Sequence, residues 1–248
     1  MEMIAVKDIS FFFAGSKLEI IDDVKFTVNK GEFVSIIGPS GCGKSTVLRI
    51  IAGLIPPSTG RVMLYGKEIS EPNSKISFVF QDFGLLPWLT IIENVKIGLS
   101  LVDIDENAKD KKAMELLDRF GLSGFESYYP NALSGGMKQR VGIARALASE
   151  PEVLLMDEPF SALDELTAET LRGDIIYMLE NKNLPVNSVI MVTHNVEEAV
   201  ELSDRVVIMS QKPSEVKKVI HITEKRPRDK RSKQFAHMVD QIYAILAQ

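Results

Sequence analysis

Phe33-Val34-Ser35-Ile36-Ile37-Gly38-Pro39-Ser40-Gly41-Cys42-Gly43-Lys44-Ser45-Thr46 is the stretch whose reading decides the fold. The mostly apolar run Phe33 to Ile37 reads as a buried strand. Lys44 to Leu54 reads as a helix, stopped by Gly53 and the Pro56-Pro57 pair. Between them, Gly38 to Ser45 completes the pattern G-x-x-x-x-G-K-[ST], which average residue usage produces by accident in roughly one chain of this length in a hundred. Glycines let the backbone curl so that successive N–H groups converge on phosphate oxygens, and the helix start adds partial positive charge. Lys44 can then bridge the β- and γ-phosphates of a nucleotide, and the Ser45 hydroxyl can ligate Mg²⁺. A glycine-rich turn without a ligand is the plainer reading, and the strand–loop–helix context weighs against it. Cys42 lies inside the loop, where a thiol reagent is expected to block it, and it is given no catalytic role.

Composition bounds the rest. The chain has 248 residues, 45% hydrophobic and 25% charged, with net charge −5, as expected of a globular protein with one large core or a core plus subdomain. No run approaches the ~18 apolar residues a membrane-spanning helix needs. The opening MEMIAVKDIS lacks the basic and apolar regions of a secretory signal. One cysteine allows no intrachain disulfide and agrees with a reducing compartment. A net acidic chain is a poor general binder of nucleic acid, and no nucleic-acid partner is expected.

Strand and helix patterns alternate, which favours an α/β class. Strands are expected at Ile4–Phe13, Lys25–Val28, Phe33–Ile37, Arg61–Tyr65 and Ile76–Phe80, the first three forming a meander. From about Asp82 to Glu150 the texture is helical. Asp105–Phe120 carries Ala113, Leu116, Leu117 and Phe120 at helical spacing, and Ser134 is placed to cap Ser134–Ser149. Strands at Val153–Met156, Val189–Val192 and Val206–Met209 then alternate with helices at Glu165–Asn181 and Asn195–Leu202.

Two further motifs narrow the chemistry. In Val153-Leu154-Leu155-Met156-Asp157-Glu158, a buried strand delivers two acids to its C-terminal edge, where nucleotide sites of α/β sheets lie. Asp157 would hold Mg²⁺, and Glu158 could orient and deprotonate an attacking water. Leu133-Ser134-Gly135-Gly136-Met137 places a serine and two glycines at a helix start, a second anion site free of side-chain obstruction. With the phosphate-binding loop, this resembles the signature of the ATP-binding-cassette (ABC) ATPases, whose common form has Gln where this chain has Met137. The resemblance spans about Ile4 to Met209 with its motifs in order.

That resemblance implies an α/β P-loop NTPase core with an N-terminal antiparallel β subdomain and an inserted helical subdomain. A single domain is expected over 1–248, with the core at 1–85 and 151–210, the helical signature subdomain at 86–150 and a C-terminal tail at 211–248. It also implies a head-to-tail dimer of two copies that sandwiches two ATP molecules with Mg²⁺. Gly38 to Thr46 would hold the phosphates in one copy, facing Ser134, Gly135, Gly136, Met137 and Asp164 of the other. Gln81 matches the glutamine that touches Mg²⁺ and the attacking water, so Ser45, Gln81 and Asp157 form the implied metal set. Ser161-Ala162-Leu163-Asp164 matches the loop that communicates across the dimer. His194 lies 36 residues beyond Glu158 and matches the histidine that contacts the γ-phosphate. Lys44, Gln81, Glu158 and His194 are therefore the implied catalytic set. Among Phe11, Phe12 and Phe13, the family pattern selects Phe13 to stack on adenine, against a reading in which all three are core.

Finer cues are Gln81-Asp82-Phe83-Gly84-Leu85-Leu86-Pro87-Trp88-Leu89-Thr90, Met137, and Val141-Gly142-Ile143-Ala144-Arg145-Ala146-Leu147. They resemble the ATPase subunits of bacterial importers for nitrate, sulfonates, taurine and related solutes. Such a subunit would sit peripherally on the cytoplasmic face of the cell membrane. Its partners would be integral permease subunits and, indirectly, an extracytoplasmic solute-binding protein. Trp88, with Leu85, Leu86 and Leu89, is read as a socket for a permease helix. The competing class is a non-transport ABC ATPase of DNA repair or translation, whose long coiled-coil insertion or second cassette is not seen in this sequence. Lys217 to Lys233 holds eight Lys/Arg against two acids. It reads as a solvated, weakly ordered face, with anionic headgroups as the second reading and a nucleic-acid arm as a third.

Overall fold

A computed structural model describes residues 1–13, 18–100, 102–180 and 186–247, the side chains of 178–180 excepted. In chain order the strands and helices are β1 (Glu2–Phe12), β2 (Glu19–Asn29), β3 (Phe33–Ile37), α1 (Lys44–Ile51), β4 (Thr59–Leu64), β5 (Lys67–Glu68) and β6 (Ile76–Val79). They continue with α2 (Ile91–Ile97), α3 (Glu106–Arg119), α4 (Gly135–Ala148), β7 (Val153–Asp157), α5 (Glu165–Glu180) and β8 (Ser188–Val192). The last are α6 (Val196–Leu202), β9 (Arg205–Met209), β10 (Val216–His221) and α7 (Lys233–Leu246). None of the described helices is long and apolar enough to cross a membrane. The chain forms two compact units, one of Met1–Asn73 with Asn187–Gln248 and one of Ser74–Val186.

The first unit contains two sheets. One is antiparallel, in the order β2-β1-β4-β5. β2 begins six residues before the expected Lys25. Ile20, Ile21 and Val24 are buried, but Asp22-Asp23 interrupts their apolar pattern and Asp23 takes φ 46°, at an irregularity in the pairing with β1. In the other sheet β3 is parallel to both β8 and β9, and β10 is antiparallel to β9. All five residues of β3 are buried, as for a strand covered on both faces.

The basic tail is ordered, contrary to expectation. Ser232 caps α7 by accepting the Phe235 N–H, and Phe235, Val239 and Ile242 enter a core with Val196, Val200, Ile208 and Ile220. Arg226 ion-pairs with Asp204, and Arg228 donates to the carbonyls of Val200 and Glu201. Cation and carbonyl chemistry at the end of α6 therefore occupies charges that the sequence leaves facing solvent.

The second unit pairs β6 and β7 in parallel and packs α2, α3 and α5 around α4. The apolar stripe of α3 is buried at Ala113, Leu116 and Leu117, each leucine worth about 1.5–3 kcal/mol of burial. α2 was not expected. It starts at a reciprocal box in which the Thr90 hydroxyl accepts the Glu93 N–H while the Glu93 carboxylate accepts the Thr90 N–H. The Thr90 hydroxyl also donates to the Glu93 carboxylate at 2.7 Å, and this bond, followed by that from the Thr90 N–H, holds the carboxyl below its ordinary pKa.

Candidate nucleotide site

In the first unit, register brings two sequence-predicted groups to one sheet edge. Ile36 pairs with Val192 and Ile37 with Ile208, so Gly38 and Thr193-His194 leave adjacent strands at the same end. The Thr193 N–H donates to the Ile36 carbonyl at 3.2 Å. The turn carrying His194 is stiff. The buried Thr193 hydroxyl donates to Glu198 at 2.6 Å and accepts the Asn195 N–H, and Asn195 caps α6 through the N–H groups of Glu197 and Glu198. His194 itself is exposed between these anchors.

The loop from Gly38 closes on its lysine. Lys44 is 5% exposed, and its ammonium donates to the carbonyls of Gly38 and Pro39 at 2.9 and 3.0 Å. Gly43, at φ 109°, occupies the cap position of α1 without a side-chain cap, a left-handed conformation that glycine adopts without steric cost. Ser45 and Thr46 are half-buried in its first turn, and Ser40 and Gly41 are exposed. Cys42 is 2% exposed, and its carbonyl accepts the Ser214 hydroxyl. The expected attack by thiol reagents is corrected: burial of the side chain beneath the loop shields the thiol. Phe13 follows β1, 54% exposed and edge-on to Phe11 at 5.4 Å; Phe12 is exposed too and Phe11 half-buried, so the reading of all three phenylalanines as core is set aside.

In the second unit, the pairing of Val79 with Met156 brings the ends of β6 and β7 level. Asp157, the last residue of β7, is 2% exposed. Gln81 Nε2 lies 3.5 Å from Glu158 Oε2. Glu158 takes φ 45°, a conformation costing on the order of 1–3 kcal/mol for a non-glycine residue and frequent where function dictates geometry. Its carbonyl accepts from both the N–H and the hydroxyl of Ser161, closing the turn that aims the carboxylate.

Ser134 caps α4 by accepting the Met137 N–H. Gly135 leaves ordinary space, whereas a Cβ on Gly136 would lie 2.3 Å from Thr167 Cγ2. The second glycine is therefore set by the close approach of α5, a reason beyond the expected opening for an anion. Asp164 accepts the Thr167 N–H at the start of α5, and this bonding lowers its pKa. A capping role thus stands beside the one expected across a dimer.

Trp88 is 68% exposed, with Leu85, Leu86 and Leu89 half-buried around it. The turn is pinned from below by Asn94, fully buried, which accepts the Leu86 N–H and donates to the carbonyls of Leu86, Leu89 and Thr90. Asn94 escaped the sequence reading, and Thr90-x-x-Glu93 was the signal for its helix. Arg145 escaped it too. Burial lowers its pKa, and its guanidinium donates to the carbonyls of Phe83 and Gly84 just beyond Gln81.

A strand–loop–helix that wraps a buried lysine, and a paired-acid strand end, define a P-loop nucleotide-binding protein. Within that class, residues 21–161 match the ABC transporter family, to which the chain belongs. It is 44% identical to an uncharacterized ABC transporter ATP-binding protein of Methanocaldococcus jannaschii, over 95% of this chain and 87% of that one. It is 43% identical to the aliphatic sulfonates import ATP-binding protein SsuB of Bacillus thuringiensis subsp. konkukian, over 95% and 92%. Among solved structures, it resembles a dimeric ATP-binding cassette in a post-hydrolysis state bound to ADP and Pi. The TM-score is 0.78 at 33% identity, covering 90% of this chain and all of the other.

Proposed function

We propose that the chain is the ATP-hydrolysing subunit of an importer for a small solute of the nitrate, sulfonate and taurine class. Two copies close head to tail on two ATP molecules. Gly38 to Thr46 of one copy hold the phosphates, Phe13 stacks on the adenine, and Ser134 to Met137 with Asp164 of the other copy complete each site. The observation that carries this reading is the level register of β3 and β8, with the phosphate loop and His194 leaving one sheet edge on neighbouring strands. The match to a sulfonate import ATP-binding protein supports the importer class over DNA repair or translation.

Within each site, Lys44 exchanges its two loop carbonyls for β- and γ-phosphate oxygens, and the amides of the loop share the same charge. Glu158 accepts a proton from the attacking water, which Gln81 helps to orient, and His194 donates to the γ-phosphate. The hydroxyl, amide and carboxylate oxygens of Ser45, Gln81 and Asp157 are the hard donors Mg²⁺ prefers, and they would hold it together with phosphate oxygens and water. Among the described residues no group of three or more His, Cys, Asp or Glu is placed to hold a metal ion. The ion would supply positive charge to the phosphoryl oxygens.

Closure is transmitted through the pinned Trp88 turn to a helix of a permease subunit at the cytoplasmic face of the membrane. A binding protein outside delivers the solute. Co-purification from membranes tests this. Trp88→Ala is expected to bind ATP normally and to lose most of its permease partner, whereas undiminished capture would remove Trp88 from the docking surface.

A further inference from the structure

The turn that follows Gln81 is held by a residue outside the nucleotide motifs. Phe83 and Gly84 both take left-handed conformations, φ 62° and 60°. Their carbonyls face one guanidinium: Arg145 Nη2 donates to Phe83 at 3.0 Å and Nη1 to Gly84 at 2.6 Å. A planar fork with two parallel N–H groups suits two convergent oxygens, and an ammonium does not reproduce it. Within the turn, Phe83 N–H bonds to the Phe80 carbonyl and Gly84 N–H to that of Asp82, so Gln81 sits inside a closed ring of backbone contacts.

Arg145 lies on α4, the helix that Ser134 to Gly136 open, and three contacts seat this part of α4 against the turn, α2 and β6. A Cβ on Gly142 would lie 3.1 Å from the Phe83 carbonyl, so glycine there admits the turn. A Cβ on Gly98, at the end of α2, would lie 2.1 Å from the Arg145 carbonyl, so the backbone of Arg145 rests directly on α2. At the far end, the hydroxyls of Ser77 on β6 and Ser149, the residue after α4, lie 3.1 Å apart.

We propose that Arg145 is a positioning residue for Gln81. Its fork locks the Phe83–Gly84 turn to α4, so that Gln81 and the Ser134–Gly136 segment move as one body. When the signature segment of one copy meets the nucleotide of the other, the displacement reaches the amide beside Glu158 through two hydrogen bonds. This rests on the reading of Gln81 as a ligand of Mg²⁺ and the attacking water. Misplacing such a group by about 1 Å costs up to 10²-fold in rate without removing any contact to bound substrate.

The test is a double-mutant cycle in steady-state ATPase of the full chain, with Arg145→Met, Gln81→Ala and the double variant. Arg145→Met is expected to lower kcat about tenfold or more, leave KM for ATP within about twofold and raise the Mg²⁺ concentration for half-maximal rate. Arg145→Lys, which keeps the charge and loses the fork, is expected to recover little. In the Gln81→Ala background, Arg145→Met should cost nothing further. Equal losses in both backgrounds, or wild-type kcat in a folded Arg145→Met, would overturn the clamp while leaving Gln81 its role. Wild-type turnover in Gln81→Ala would overturn the reading of Gln81 and the clamp with it. If Arg145→Met does not fold, Gly142→Ala displaces the Phe83 carbonyl with the fork intact. It should show the same kcat loss and the same absence of further loss with Gln81→Ala, and additivity there counts against the clamp.

Discussion

Arg228 donates from Nη1 to the carbonyl of Val200 at 2.7 Å, fastening the last turn of α6 to the C-terminal arm of the chain. The same nitrogen reaches the Glu201 carbonyl at 3.0 Å, and Lys230 ion-pairs with the Glu201 carboxylate. α6 follows His194 directly, so the arm steadies the turn that carries His194 from the opposite end of a short helix. Arg228→Ala is expected to cost about 1–3 kcal/mol, because buried carbonyls lose their donor. Phe235→Ala, opening a cavity beneath α7, is expected to cost about 3–5 kcal/mol. Lys217→Ala, on an exposed face of β10, should stay within about 0.5 kcal/mol of wild type. Denaturant unfolding of the three variants orders them, and a silent Phe235→Ala would contradict the packing of α7.

Gly98 makes a second stability prediction. A Cβ at this position would stand 2.1 Å from the Arg145 carbonyl and 2.9 Å from Ala148 Cβ. Neither neighbour is the end of a flexible side chain, so the backbone of α2 or α4 must move. Gly98→Ala should destabilise by about 1–3 kcal/mol, which for a chain of this size lowers the thermal midpoint by several degrees. An unchanged midpoint in calorimetry would mean that α2 and α4 do not meet here.

Gln139 predicts the opposite sign. It is fully buried on α4, and neither amide atom has a hydrogen-bond partner among the described residues. Each such group costs about 1–3 kcal/mol, so Gln139→Met, close in shape and free of polar atoms, is expected to raise the thermal midpoint. A lower midpoint would show that the amide is satisfied in solution.

Local rules carried much of this molecule into view. The phosphate loop, the acids at the end of β7 and the Ser134 cap are contiguous signals in which a few neighbouring residues determine the backbone, and each lies where the sequence places it. What escaped was decided by distant partners. Asn94 and Arg145 earn their positions from carbonyls eight and about sixty residues away, which no local pattern encodes. The buried state of Cys42 depends on packing beneath the loop, with Ser214 bonded to its carbonyl. α7 is a different case. Phe235, Val239 and Ile242 fall at helical spacing after a capping serine, but the preceding run of charge drew the reading toward solvent.

The most direct test of the central claim concerns Glu158. With its carboxylate replaced by an amide, Glu158→Gln keeps the shape of the site and loses the group proposed to take a proton from water. Hydrolysis should fall on the order of 10²-fold or more, while ATP stays bound. Light scattering of the Glu158→Gln chain with Mg²⁺ and ATP should then report twice the mass found without nucleotide. A mass unchanged by ATP, from a variant that binds it, would contradict the head-to-tail ATP sandwich.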